Sequence, residues 1–305
     1  MPTTVSFLLM PYTNLLDLGG ASQVFYEAKD QGLPIDISFC VSEPNVLSAM
    51  GLPFGKIENY KKQKLNKGDI LIVLSSDYKY IFSNKFNPDK ELLNWLVAQN
   101  AKGVTICAIC TGAFLLGKAG LLDGRKCTTH WKRTDELQSN FPKAKVQQNI
   151  IFIEDNNIYT SAGANSAIDV SLQILSNIKG EYFTHKVARE LVVYNRRNGN
   201  ESQQSIYLSN RQHMHKGIHK VQDYLQENLH VKHSLNELAE MANMSHRNFC
   251  RIFKKETNHT VIGYVNLLRK EKINTLIKNP DISRSQIAKH CGLISERQVS
   301  RIIKF

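Results

Sequence analysis

Cys110 is the side chain with the most reactive setting. The segment Val104-Thr105-Ile106-Cys107-Ala108-Ile109-Cys110-Thr111-Gly112-Ala113 reads as a buried strand, a one-residue turn and a helix that opens on small residues. This is the strand–turn–helix logic of a nucleophile elbow, which lifts a reactive atom above a sheet. A thiol at a helix N-terminus is expected to ionise more easily than a free one, because the helix dipole favours thiolate. The competing reading is a small buried cysteine with no role. Cys107 and Cys110 spell C-x-x-C, but Cys107 lies in the strand and points away from the turn, which argues against a redox pair.

A different chemistry is written at Ser234 to Asn258. Ser234 is an N-cap type and Glu237 completes a capping box. Leu235, Leu238 and Ala239 follow at helical spacing, and Asn243 suits a sharp left-handed turn. Ser245 then caps a second helix. Its inner face is Phe249, Ile252 and Phe253, and its outer face is His246, Arg247, Asn248, Arg251, Lys254 and Lys255. A helix-turn-helix needs a small residue at the crossing, a turn former, and a cationic, amide-bearing helix for the major groove. An ordinary helical hairpin with a solvated basic face is the alternative. The pattern recurs at Ile282 to Phe305: Ala288 at the crossing, Gly292 at the turn, Ser295 at the cap, Val299 and Ile302 inside. There Glu296, Arg297, Ser300 and Arg301 face out.

Between the copies, Val261 to Lys278 reads as one helix. Two helix-turn-helix units joined by a helix resemble the DNA-binding domain of AraC-family transcription regulators over residues 215–305. The resemblance rests on Leu238-Ala239, Met244-Ser245, Arg251 to Thr257, Arg269, Ile287-Ala288 and Gly292-Leu293. It departs at the end of the chain: such domains continue into a further helix, and Leu293 and Ile303 stand where aromatics are usual. A truncated, weakly buttressed second unit is therefore expected.

The elements that must hold Cys110 lie in residues 1–194. Val5–Met10, Ile35–Val41, Ile70–Leu74 and Val104–Ile109 are apolar strands, and 17–29, 89–99 and 112–119 are helical. Continuous apolar strands alternating with helices imply a parallel sheet covered on both faces, with ligands beyond the carboxyl ends of the strands. The loops there are 11–17, 75–80 and 110–111. Asp17, from the first loop, would lie beside the strand leading to Cys110, where a carboxylate can bond the thiol or hold a cationic ligand.

The chain's 305 residues suit two domains. Its formal charge of +12 is uneven: residues 1–194 hold 20 basic and 18 acidic side chains, residues 195–305 hold 19 and 9. The C-terminal third is thus the part suited to a polyanion. Eight of ten histidines lie there without metal spacing, and His213, His215 and His219 read as solvated linker and helix residues. No run approaches the ~18 apolar residues of a membrane span, and no signal peptide is evident. Six cysteines in apolar contexts fit reduced thiols and a cytoplasmic location. No cofactor or metal is expected. The polar stretch 195–214 reads as a linker, and Ile218, Val221, Leu225 and Leu229 form the apolar stripe of a helix after it.

Five ordered motifs resemble the glutamine-amidotransferase-like (ThiJ/PfpI) superfamily, and more closely its members fused to AraC-type domains. They are Leu15 to Gly19, Ile109 to Leu116, Ala119 to Arg125, Thr128 to Trp131, and Thr160 to Gly163. The resemblance implies a flavodoxin-like α/β N-terminal domain, followed by an all-α domain with two helix-turn-helix units. It matches Cys110 to the elbow cysteine, Asp17 to the first-loop acid, and His130 to a histidine twenty positions after the cysteine. With Thr111, these residues form the expected ligand pocket. Gly20 replaces a usual proline and is expected to loosen the first loop. A His-x-Glu for an amidotransferase triad is missing at His130 and at His185, and Thr111 stands where peptidase members carry histidine. The set Asp17, Cys110, Thr111 resembles isonitrile hydratases, which lack a DNA-binding domain. A regulator that senses a small molecule, rather than an enzyme, is the expectation. Its partners would be double-stranded DNA and that effector, with RNA polymerase and a second copy, through the N-terminal domain, as further candidates.

Overall fold

The computed structural model describes residues 2–193, 196–277, 279 and 281–304. The chain divides into two compact units, Met1–Gln203 and Gln204–Phe305.

The first unit runs β1 (Thr3–Leu9), α1 (Leu15–Asp30), β2 (Ile35–Val41), β3 (Glu58–Asn59), β4 (Ile70–Val73), α2 (Tyr78–Ile81), α3 (Lys90–Ala101), β5 (Thr105–Ile109) and α4 (Gly112–Lys118). It continues with β6 (Lys126–Cys127), α5 (Thr134–Asn140), β7 (Lys145–Val146), β8 (Phe152–Asp155), β9 (Ile158–Ser161), α6 (Ser166–Lys179) and α7 (Glu181–Glu190). Seven strands form one sheet in the order β3-β2-β1-β4-β5-β9-β8. All neighbours are parallel except β8, which pairs antiparallel with β9. The sheet is therefore flavodoxin-like as expected, with one reversed edge. Val5, Phe7 and Leu9 of β1 face one buried layer with α1 and α6, while Leu8 faces the other. Alternate residues of one strand feed both layers, which is why its apolar run is continuous.

Gly20 lies inside α1, not in the first loop. A Cβ there would meet Ile168 at 3.0 Å, so this glycine serves the close approach of α1 and α6. Arg197 and Gln203, in the stretch read as a linker, are bound to the first unit. Arg197 donates to Asp169 through its backbone N–H and its guanidinium, and Gln203 bonds Thr129, Ile150 and Trp131. Polarity here reflects specific partners rather than solvation.

The second unit comprises α8 (Ile206–Ser209), α9 (Lys216–Glu227), α10 (Leu235–Met241), α11 (His246–Thr257), α12 (Val261–Leu276), α13 (Arg284–His290) and α14 (Glu296–Lys304). α12 stops at Leu276, and Lys278, expected within it, is outside the described residues, as is Phe305. The stripe Ile218, Val221, Leu225 and Leu229 is buried. His213 is buried as well, its ring 4.4 Å from that of His219, and the His215 ring accepts from the Ile218 N–H. These two histidines pack and cap rather than face solvent. Ser234 is the N-cap of α10 without the side-chain bond of a capping box, whereas Ser283 and Gln286 form a complete one on α13. Asn243 and Gly292 make the two turns at φ +56° and +64°.

Candidate functional site

The carboxyl end of β5 delivers Cys110 into the left-handed region, at φ +53°. Its N–H donates to the Ser161 carbonyl at 2.8 Å, and Thr129 Oγ1 donates to its carbonyl at 2.7 Å. Non-glycine residues are held there only when their surroundings over-determine them. Gly112 and Gly163 are two such surroundings. A Cβ on Gly112 would stand 2.7 Å from the Val73 carbonyl oxygen, and one on Gly163 would stand 2.3 Å from the Cys110 Cβ.

Asp17, in the first turn of α1, is 1 % exposed. It accepts from Ser75 Oγ and from the Ala164 N–H. Burial dominates these bonds and raises its carboxyl to about 6. Thr111 Oγ1 donates to the Ser76 carbonyl at 2.7 Å and accepts from the Ser76 N–H at 3.0 Å. The loops after β1, β4, β5 and β9 thus meet around Asp17, Cys110 and Thr111.

The expected easing of thiol ionisation does not occur. Burial first, then the charge of Asp17, pushes the Cys110 thiol up to about 12, against the backbone N–H groups of Thr111 and His130. α4 is only seven residues long, and its end charge cannot offset desolvation beside a carboxylate. His130 joins this cluster through its backbone. Its Nδ1 accepts from the Lys132 N–H at 3.3 Å and its ring stacks on Trp131. Burial, helped by Lys132 and Arg133, lowers its ring pKa. Among the described residues no hydrogen bond joins the His130 ring to Cys110.

Sequence reasoning did not single out Ser75, Ser76 or Ala164, although Ser75 opens one of the loops named and Gly163 ends a motif. It also missed a cavity of about 220 Å³ lined by Tyr12, Glu43, Asn45, Tyr80 and Lys85 at the carboxyl ends of β1 and β2. Tyr12, at φ +59°, packs its ring tilted against that of Tyr80, with centroids 5.4 Å apart.

In the second unit α11 buries Phe249 and Phe253 and exposes His246, Arg247, Asn248, Arg251, Lys254 and Lys255. Arg251 Nη2 donates to Asn248 Oδ1 at 2.9 Å, which orients the guanidinium along the helix. Cys250 adds a partly exposed thiol 3.8 Å from His246 Nε2. On α14, Glu296, Arg297 and Arg301 are exposed, and Ser300 is half-buried with its hydroxyl turned to the Glu296 carbonyl. Among the described residues no helix is long and apolar enough to cross a membrane.

The DJ-1/PfpI family model matches residues 81–177. The HTH-type transcriptional regulator CdhR of Pseudomonas aeruginosa is 28% identical over 240 residues, 78% of this chain and 69% of that one. That alignment is longer than the first unit, so it runs into the helical one. The regulator GbdR of the same species is 28% identical over 70% of this chain, and the match spans 58% of its length. Isonitrile hydratase of Pseudomonas putida is 26% identical over 59% of this chain and 74% of the enzyme. A crystal structure of an AraC family transcriptional regulator from Pseudomonas putida shares the fold: TM-score 0.54, 21% identity, covering 62% of this chain and all of that one. The first unit thus carries the DJ-1/PfpI match and the elbow cysteine, and across both units the chain is similar to HTH-type transcriptional regulators.

Proposed function

We propose that the chain reads duplex DNA through α11, with α14 as a second reader, and that a small molecule at the Asp17–Cys110–Thr111–His130 cluster biases that binding. The observation that carries the reading is the pairing of two features in one chain. One is the left-handed elbow at Cys110 with the buried Asp17 near it; the other is an exposed helix face with Arg247, Arg251, Lys254, Lys255, His246 and Asn248. Asp17 and Thr111 spend their polar atoms on Ser75, Ala164 and Ser76. In this reading they shape the site, and the Cys110 sulfur is left to meet the ligand.

The proposal is binding without turnover. A thiol held near 12 is a poor nucleophile at neutral pH, and the His130 ring is engaged in its own turn. The test begins with a panel of small amines, amino-acid derivatives and nitriles, scored by the melting temperature of the first unit's transition. A hit is then carried into DNA-binding titrations of the wild type, Asp17→Ala and Cys110→Ala. The expected shift in DNA affinity is roughly 5- to 150-fold, the usual range of coupling between sites, and it is lost in both variants. Sustained consumption of an isonitrile that disappears in Cys110→Ala would establish an enzyme instead.

A further inference from the structure

The two halves of the second unit keep separate cores. Phe249, Phe253, Tyr264 and Leu268 belong to one, and Ile273, Ile287, Val299 and Ile302 to the other. Between them lies a cavity of about 720 Å³. Its apolar walls come from both halves: Leu235, Leu238 and Val265 on one side, Leu293 and Ile302 on the other. Its charged lining is of one sign, Lys232, Arg269 and Arg301 with His233 beside them, and among the described residues no Asp or Glu contributes to it. Small-molecule sites have this form and size: apolar walls and a few convergent polar groups.

Arg269 makes this more than a gap between lobes. It projects from α12 and is half-buried. Nη2 donates to the Gly292 carbonyl at 3.3 Å, while Nε is buried with no partner among the described residues. Among the described residues no carboxylate pairs with it: burial pulls its pKa below the usual arginine value, and the opposing influence is Cys291. A guanidinium stays charged in proteins and presents a planar fork that fits a carboxylate. A half-buried one without a counter-charge, at the wall of an apolar cavity, leaves an electrostatic demand that an anion would meet.

We propose that this cavity binds an amphipathic organic acid, with its carboxylate at Arg269 and Lys232 and its hydrocarbon chain between Leu238, Val265 and Ile302. Such a ligand touches both lobes and so sets the separation of α11 and α14. DNA affinity would follow that separation. The site is independent of the one proposed in the first unit.

The test uses the full chain titrated calorimetrically with octanoate, decanoate and dodecanoate below their micelle concentrations. Affinity should tighten about three- to fourfold per added methylene, the ratio expected for burial in an apolar wall. Dodecanol and dodecyltrimethylammonium should bind at least tenfold more weakly than dodecanoate. Lys232→Gln, at an exposed rim position, should weaken dodecanoate severalfold. Asn266→Phe, at a half-buried lining position, should abolish binding by filling the cavity, with circular dichroism melts checking that both variants fold. Dodecanoate should also shift the Kd for duplex DNA at least fivefold, and Asn266→Phe should remove that shift. Equal binding of dodecanol, or dodecanoate affinity unchanged in both variants, would overturn the proposal. So would an effect of Lys232→Gln on DNA binding alone, which would make the cationic rim a phosphate contact.

Discussion

Replacing Gly163 by alanine would set a Cβ 2.3 Å from the Cys110 Cβ and 2.8 Å from its sulfur, at a φ of +89°. Either the elbow or the Gly163 turn must then move. The expected cost exceeds about 2 kcal/mol in the first unit's unfolding transition. Gly120→Ala, at φ +73° with open space around it, should cost only the backbone strain of roughly 1–2 kcal/mol, and denaturant midpoints of the two variants would separate clash from strain. Asp17 gives a pH prediction with a definite sign. Its carboxyl titrates at about 6 when folded against an ordinary 3.8. Between those values the folded state holds a proton that the unfolded state has released. Stability therefore falls as pH rises from 3.8 to about 6. The ceiling on this loss is about 3 kcal/mol, from two units at about 1.4 each. Asp17→Asn should flatten the melting temperature across that window and raise it at pH 7; an unchanged slope would show that another group titrates there. The position of Cys110 on an elbow was legible in sequence because strand, turn and helix are local. Its ionisation was not, because Asp17 and the atoms that bury the thiol come from other loops.

At the scale of elements, α11 was legible because capping type, turn type and amphipathic period agree over a short stretch. Its first cap was over-read: Ser234 and Glu237 have the spacing of a capping box, and the box does not close. β8 escaped notice because a four-residue edge strand leaves too little alternation to show its direction. Residues 197–203 looked like linker because composition does not reveal that Asp169 is buried and waiting for Arg197. Among the described residues, thirteen buried side chains form the core around α9 to α12 and six form that around α13 and α14. Amides of α13 and α14 should accordingly lose hydrogen-exchange protection before those of α9 and α11. Simultaneous loss in all four helices would mean the two lobes open as one unit.

Over the whole molecule, charge is unevenly divided: the last 111 residues carry an excess of ten positive charges, and the first 194 an excess of two. A strongly basic C-terminal part suits a polyanion such as DNA. Lys254→Gln and Lys255→Gln should each reduce the slope of log affinity against log salt by roughly one, while leaving sequence preference intact. The most direct measurement is selection of duplexes from a randomised pool by the full chain, followed by binding titrations of the selected and random sequences. The wild type should enrich a defined site. Arg251→Ala should lose about 1–3 kcal/mol at that site, with preference relaxed at one base position and affinity for random duplex nearly unchanged. Failure to enrich any sequence, or equal loss on selected and random duplex in Arg251→Ala, would contradict the account.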